Sequence, residues 1–106
     1  MAYLNLEYFR QRLEKDRERI LKNIEEINEE LAVIAAEDEI DDIEDLAELK
    51  IENDRDKELL KILMQELKDV NDALKKIETG RYGIDEKSGR KIPINRLLAN
   101  PAARSV

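Results

Sequence analysis

The sequence contains no cysteine and no histidine. A disulfide is therefore impossible, and neither a thiolate nor an imidazole is available to bind zinc or to act as a nucleophile. Aromatic residues make up only 4% of the chain, which is too little for a broad globular core. Apolar runs are a few residues long, so no segment is expected to span a membrane. Because residues 1–5 also lack a signal-peptide pattern, we expect a cytoplasmic protein.

Charged residues make up 42% of the chain, and 19 Lys and Arg against 26 Asp and Glu give a net charge of −7. This charge disfavours binding to DNA, RNA or anionic lipid, because those ligands require a basic surface. An acidic chain is better suited to a basic protein channel or to a metal-bearing site on a partner. No nucleophile–base pair or phosphate loop can be assembled, so we expect neither an enzyme nor a cofactor.

Residues 5–36 have the pattern of one long amphipathic helix, with Asn5 as its N-cap. Asp16 fills one position of an otherwise apolar seam. The 3-and-4 spacing of that seam is typical of a coiled coil. Its apolar members are Leu6, Phe9, Leu13, Ile20, Ile24, Ile27, Leu31 and Ile34.

A second helix is predicted from Asp41 or Asp42 to Thr79, with Gly80 as a left-handed residue after its end. Asn53 and Asp56 are polar residues in the seam of this helix. They either fix the register of the two helices or leave the half of the helix near the acidic connection adjustable. Two such helices predict an antiparallel coiled-coil hairpin over residues 1–80, each arm about 30 residues and roughly 45 Å long. The second seam runs through Leu46, Leu49, Asn53, Asp56, Leu60, Leu63, Leu67, Val70, Leu74 and Ile77.

Residues 81–106 predict a small brace at the base of the hairpin. A turn over residues 85–90 contains Gly89 and joins two short extended segments, and residues 95–99 predict a short helix that stops before Pro101. Apolar packing has to hold this brace together. The candidates for that core are Tyr82, Ile84, Ile92, Ile94, Leu97 and Leu98.

The connection between the long helices is strongly acidic, since eight of the twelve residues at 37–48 are acids and none is basic. A solvated turn is one interpretation. The other is a functional tip at about residues 37–47. Acids at the C-terminal end of a helix oppose its dipole by about 0.3–1 kcal/mol each, which favours the functional interpretation.

Residues 74–101 resemble the DksA/TraR family of bacterial regulators that bind RNA polymerase. In that family a helix ending in LKKIE-x-G-x-YGxC leads into a four-cysteine zinc knuckle, followed by IPIxRLxAxPxA; this chain has LKKIETGRYGID and IPINRLLANPAA. The family's tip motif, Asp-x-x-Asp-x-Ala, is matched by Asp42, Asp45 and Ala47. The interval from Asp42 to Asp85 also matches the family's interval from tip motif to first cysteine.

The chain differs from the family at the positions of the zinc-binding cysteines. Asp85 and Ser88 occupy the first two cysteine positions, and Val106 falls at about the third. Because these side chains do not replace thiolates, we expect a degenerate, metal-free zinc-finger-like knuckle at residues 81–106. The basic side chains that full-length members use for ppGpp are unmatched, with Asp69 and Asn100 near those positions. A ppGpp response is therefore doubtful.

The resemblance implies a transcription regulator that inserts its acidic tip into the secondary channel of RNA polymerase and modulates initiation without binding DNA. Asp42, Asp45 and Ala47 would act at the tip, and a monomer is expected. Two alternatives stay open, a Gre-like transcript-cleavage or elongation factor and a coiled-coil adaptor unrelated to polymerase. Four basic residues at the base form a candidate contact with the rim of the channel, here called the grip. A solvated basic turn is equally compatible with them. The four residues are Arg81, Lys87, Arg90 and Lys91.

Overall fold

The computed structural model describes residues 5–36 and 54–105. These residues form four helices, named here α1 (Leu6–Ile27), α2 (Glu29–Ala36), α3 (Asp54–Thr79) and α4 (Ile94–Ala99). Within the described ranges, β-structure is limited to one isolated antiparallel bridge between Ile84 and Lys91. The expected mainly α-helical class is confirmed. None of the described helices is both long and apolar enough to cross a membrane.

The first helix begins where the sequence predicts. The Asn5 side-chain oxygen accepts the backbone N–H of Tyr8 at 3.1 Å, and the Asn5 carbonyl accepts that of Phe9 at 3.2 Å. The Tyr8 amide lies in the first turn and has no acceptor within the helix, so the Asn5 side chain caps it. Glu7 adds a carboxylate in the first turn, which favours the positive end of the helix dipole.

The first predicted arm is not one helix, because it breaks at Asn28. The Asn28 side-chain oxygen accepts the backbone N–H of Leu31 at 3.0 Å and so caps the N-terminus of α2. Helical hydrogen bonds lie on either side of the break, from Asn28 N–H to the Ile24 carbonyl and from Ala32 N–H to the Asn28 carbonyl. The junction therefore consists of a single residue.

Helix α2 turns back along α1. The guanidinium of Arg17 donates a hydrogen bond to the Ala36 carbonyl at 3.0 Å. In an unbroken helix these residues would lie about 28 Å apart, too far for an arginine side chain. The expectation of a straight, continuous first arm is therefore wrong, because periodicity alone does not distinguish one helix from two that share an apolar face.

The described residues divide into two compact units. Residues 17–36 and 54–68 form one unit, and residues 5–16 and 69–105 form the other. The end of α1 thus belongs to one unit together with α2 and the start of α3, and the start of α1 belongs to the other together with the end of α3 and α4. In the first unit Arg19 also approaches Glu66 at 3.6 Å.

Each unit has its own apolar core. Among the described residues the predicted seam is largely buried, but Leu6 is 40% exposed, contrary to expectation. The seam positions Leu46, Leu49 and Asn53 lie outside the described residues. Three helical residues outside the predicted seam, Ala35, Met64 and Ala73, are also buried, because a helix drifts relative to a strict seven-residue repeat. The core of the first unit comprises Ile20, Ile24, Leu31, Ala35, Leu60, Leu63, Met64 and Leu67, and that of the second comprises Phe9, Leu13, Val70, Ala73, Tyr82, Ile92 and Leu97.

Candidate functional site

The predicted tip residues Asp42, Asp45 and Ala47 lie outside the described residues. Val106, at the third cysteine position, also lies outside them. The base, which carries the candidate grip, is described from Gly80 to Ser105. Its geometry is therefore the part of the candidate site that the structure defines.

The base begins with a left-handed glycine that ends α3. Gly80 has φ +75°, a conformation that side chains with a Cβ rarely adopt. Arg81 N–H donates to the Lys76 carbonyl at 2.8 Å, and Gly80 N–H donates to the Ile77 carbonyl at 3.4 Å. This pair of bonds is the Schellman motif, and Gly80 has the left-handed conformation that the sequence predicts. It directs the chain away from the helix axis and into the turn.

The turn over residues 85–90 is also confirmed. Asp85 N–H donates to the Arg90 carbonyl at 2.8 Å and Gly89 N–H donates to the Asp85 carbonyl at 3.0 Å. Gly89 has φ +71°, the geometry for which the sequence supplies a glycine. Beyond the turn, Ile92 N–H donates to the Gly83 carbonyl at 2.7 Å.

The carboxylate of Asp85 holds this turn from inside. Asp85 is 5% exposed, and its Oδ1 accepts the backbone N–H of Lys87 at 2.7 Å and that of Ser88 at 3.1 Å. The hydroxyl oxygen of Ser88 accepts the backbone N–H of Arg90 at 3.2 Å. Two oxygen-bearing side chains thus satisfy three amides of the loop.

The two residues at the first cysteine positions do not fit a zinc ion. Asp85 and Ser88 already use these oxygens to bind the loop backbone, and neither offers the thiolate that structural zinc prefers. Among the described residues, no group of three Asp, Glu, His or Cys side chains is arranged to bind a metal. Asp85 and Ser88 therefore do not provide the ligands that structural zinc prefers.

The base core contains half of the predicted apolar residues. Tyr82, Ile92 and Leu97 are buried, as predicted. The other three were predicted as core and are exposed by 38–43%, because the short bridge and α4 each turn only one side inward. Those three are Ile84, Ile94 and Leu98.

Tyr82 connects the base to the start of α1. Its ring lies 5.6 Å from that of Phe9, centroid to centroid, and its hydroxyl donates to the Pro101 carbonyl at 2.7 Å. Burial raises the pKa of Tyr82 to about 12, because the phenolate would lose hydration. Arg12 adds a second connection by donating from Nη1 to the Leu98 carbonyl at the end of α4, at 2.6 Å.

An ion-pair cluster that the sequence did not predict fixes the end of the chain. Arg104 contacts Asp69 at 2.7 Å, Asp72 at 2.6 Å and Glu86 at 2.8 Å. Lys76 also pairs with Glu86. The sequence carries no local signal of this contact, since Arg104 lies 32 residues beyond Asp72.

These ion pairs shift the pKa values of Glu86 and Arg104. The Lys76 ammonium, and after it Arg104, hold the pKa of the Glu86 carboxyl below its usual range. Burial alone would lower the pKa of Arg104, but its bonds to Asp72 and Asp69 more than offset this and raise it. Opposite charges therefore stabilise the ionised forms of Glu86 and Arg104.

The four basic residues predicted as a grip are all exposed. Lys87 and Arg90 lie in the turn, Lys91 lies in the bridge, and Arg81 follows Gly80. Within the described part of the chain, none of their side chains has an ion-pair partner, whereas the neighbouring Glu86 is neutralised by Lys76 and Arg104. The outward surface of the base is therefore locally cationic, although the protein as a whole is acidic.

Comparison with known proteins identifies relatives in two bacteria. General stress protein 16O of Bacillus subtilis (strain 168) is 53% identical over 38 residues, or 36% of this chain and 23% of that protein. YteA of the same strain, an uncharacterized protein, is 48% identical over 42 residues, or 40% of this chain and 18% of that protein. The match therefore spans about a fifth of the length of these two relatives.

A third relative matches over most of this chain. An uncharacterized protein of Aquifex aeolicus (strain VF5) is 33% identical over 100 residues, which cover 93% of this chain and 69% of that protein. This chain belongs to its family. No protein-family model and no solved structure matches the chain.

Proposed function

We propose that this protein is a transcription regulator that binds RNA polymerase. In this proposal an acidic tip carrying Asp42, Asp45 and Ala47 enters the secondary channel and modulates initiation without contacting DNA. The observation that carries the proposal is the resemblance of residues 74–101 to the DksA/TraR family, in register with the tip motif. A monomer acting in the cytoplasm is part of the same proposal.

The structure of the base supports the proposal, because several residues that match the family pattern have clear structural roles here. Gly80 ends α3 in a Schellman motif, while Tyr82, Ile92 and Leu97 are buried. These are the positions at which a substitution would alter the fold of the base. The residues that match the family pattern therefore form a defined local structure in this chain.

The proposed base is a metal-free variant of the family's zinc knuckle. The bonds from Asp85 to the loop backbone, the Tyr82–Pro101 bond and the Arg104 cluster supply the closure that a structural zinc would otherwise supply. The basic side chains that full-length family members use for ppGpp are unmatched here, because the residue near one of those positions is the acid Asp69, which is already paired with Arg104 at 2.7 Å. We therefore propose that the protein does not respond to ppGpp.

Electrostatics suggest how such a regulator acts. Carboxylates delivered near the active site of a polymerase would interact with basic or metal-bound groups there, and would favour one arrangement of the enzyme's moving elements over another. A difference in affinity for two conformations is sufficient to change the lifetime of a promoter complex. The exposed cations Arg81, Lys87, Arg90 and Lys91 would contact acidic residues at the channel entrance.

Photocrosslinking to purified bacterial RNA polymerase tests this proposal. A benzophenone amino acid at residue 44 should crosslink to a polymerase subunit that lines the secondary channel. The same group at Lys75, an exposed residue of α3, serves as the matched position away from the tip. Absence of any crosslink from residue 44, with the complex assembled at micromolar concentrations, would reject insertion of the tip.

A stalled elongation complex distinguishes the Gre-like alternative. We expect the length of its transcript to stay unchanged after the protein is added, because the proposed function is regulation of initiation. Shortening of the RNA from its 3′ end would instead support a cleavage factor. Failure to bind polymerase in either assay would support the adaptor alternative.

A further inference from the structure

The reversal of the chain at Asn28 has an unusual sequence context. Residues 5–36 contain neither glycine nor proline, the two residue types that most often break a helix. The apolar spacing also continues across the junction, from Ile24 through Ile27 to Leu31. Nothing in the local sequence therefore prevents α1 and α2 from forming one continuous helix.

The break itself requires few changes in hydrogen bonding. Asn28 N–H and Ala32 N–H still donate to carbonyls four residues earlier. At the junction the Asn28 side chain accepts the Leu31 N–H, which in a continuous helix would bind the Ile27 carbonyl. Rejoining the helices therefore exchanges a capping bond for backbone bonds.

Charge at the junction favours each form in a different way. Glu29 and Glu30 lie in the first turn of α2, where acids favour a separate helix. Glu25 and Glu26 lie in the last turn of α1, which contains no basic residue, so they oppose the end of that helix. In a continuous helix the two termini disappear, and both effects disappear with them.

One side chain holds the end of α2 in the reversed position. Arg17 donates to the Ala36 carbonyl at 3.0 Å, so a cation lies at the negative end of the α2 dipole. Leu31 and Ala35 are fully buried in this arrangement. Their burial and the Arg17 contact are the interactions that a straight helix would have to give up.

We propose that α1 and α2 exchange between this reversed form and a single continuous helix through Asn28, with Arg17 as the latch of the reversed form. The continuous form would span residues 6–36, about 46 Å, the arm length that the sequence pattern predicts. The exchange is a property of the free chain and does not rest on the proposed function. A partner that requires the long arm would bind the continuous form selectively.

Distance measurement between two spin labels tests the exchange directly. Labels at Glu18→Cys and Ala36→Cys are unambiguous because the chain has no other cysteine, and both positions are exposed. In a continuous helix the two backbones lie about 27 Å apart, whereas two packed helices lie about 8–10 Å apart. The doubly labelled chain should show a major short distance and a minor long one.

Three further substitutions in the labelled chain decide the outcome. Asn28→Ala removes the cap and should raise the ratio of long to short distances about fivefold. Arg17→Gln, which keeps the junction sequence intact, should raise the ratio in the same direction. Asn23→Ala makes the same chemical change within α1 and should leave the ratio unaltered.

An unchanged ratio in both Asn28→Ala and Arg17→Gln would overturn the proposal, and so would an equal change in Asn23→Ala. If Asn28→Ala loses its helical circular dichroism signal, Arg17→Gln alone decides. If Arg17→Gln then shows only the short distance, the exchange is rejected.

Discussion

The Asp85 carboxylate accepts the backbone N–H of Ser88 at 3.1 Å, so the two residues at the first cysteine positions of the resembled family are joined to each other. A metal would hold such residues through their side chains alone. Here one side chain instead binds the backbone of the other, and it does so from a nearly buried position. The turn is therefore closed by local hydrogen bonds.

Replacing Asp85 with alanine should destabilise the protein by about 1–3 kcal/mol, because two loop amides would lose their acceptor. Asp85→Asn keeps a side-chain oxygen at the same place, so its free energy of unfolding should fall by less than that of Asp85→Ala. Urea unfolding followed by circular dichroism gives both values. Equal stability of Asp85→Ala and the unaltered chain would show that these bonds do not hold the turn.

Zinc should have no effect on stability. A ligand that binds only the folded protein raises its melting temperature, and a chelator reverses that rise. We expect the thermal midpoint to be the same after addition of equimolar zinc and after dialysis against EDTA. Stoichiometric zinc in the purified protein, measured by elemental analysis, would contradict the metal-free base.

Substitution of Arg104 should remove the ion pairs that hold the C-terminal residues against α3 and should lower the stability of the protein. Its side chain is 31% exposed, so solvent screens the pairs in part, and we expect Arg104→Gln to cost about 1 kcal/mol. The loss should shrink in high salt, since screening weakens the pairs that the arginine makes. Arg90→Gln is the matched control, because Arg90 is exposed and makes no ion pair among the described residues; an equal loss in both variants would refute a specific role for Arg104.

Alkaline pH should reveal the burial of Tyr82. Its pKa is raised to about 12 from an ordinary value of 10.0, so the unfolded state ionises first. The contribution of this pKa difference to the free energy of unfolding is complete below pH 10. It is lost as the pH rises through 12, and the loss is at most about 2.7 kcal/mol. Ultraviolet titration should show a late phenolate step that Tyr82→Phe removes, while a single step near pH 10 for all tyrosines would contradict it.

Local features of the fold were predictable from the sequence. The Asn5 cap, the left-handed Gly80 and the turn containing Gly89 each depend on residues within a few positions of one another. Capping and turn rules describe such short-range bonds directly. The sequence therefore predicted where elements begin and end in the base more accurately than it predicted their packing.

Long-range features were not predictable in the same way. The reversal at Asn28 shares its apolar period with a straight helix, so the pattern fits both. Arg104 reaches Asp69 across 35 residues, and no spacing rule connects them. The cationic group at the base was named from the sequence, but the neutralisation of Glu86 beside it depends on Arg104 and so on the tertiary structure.

Transcription in vitro tests the central claim most directly. Purified bacterial RNA polymerase should give an altered yield from a responsive promoter when this protein is added, and Asp42→Asn/Asp45→Asn should abolish that change. Glu44→Gln/Glu48→Gln removes the same charge from the same segment and should retain most of the effect. Equal output with the unaltered chain and with Asp42→Asn/Asp45→Asn would contradict the proposed role of the tip.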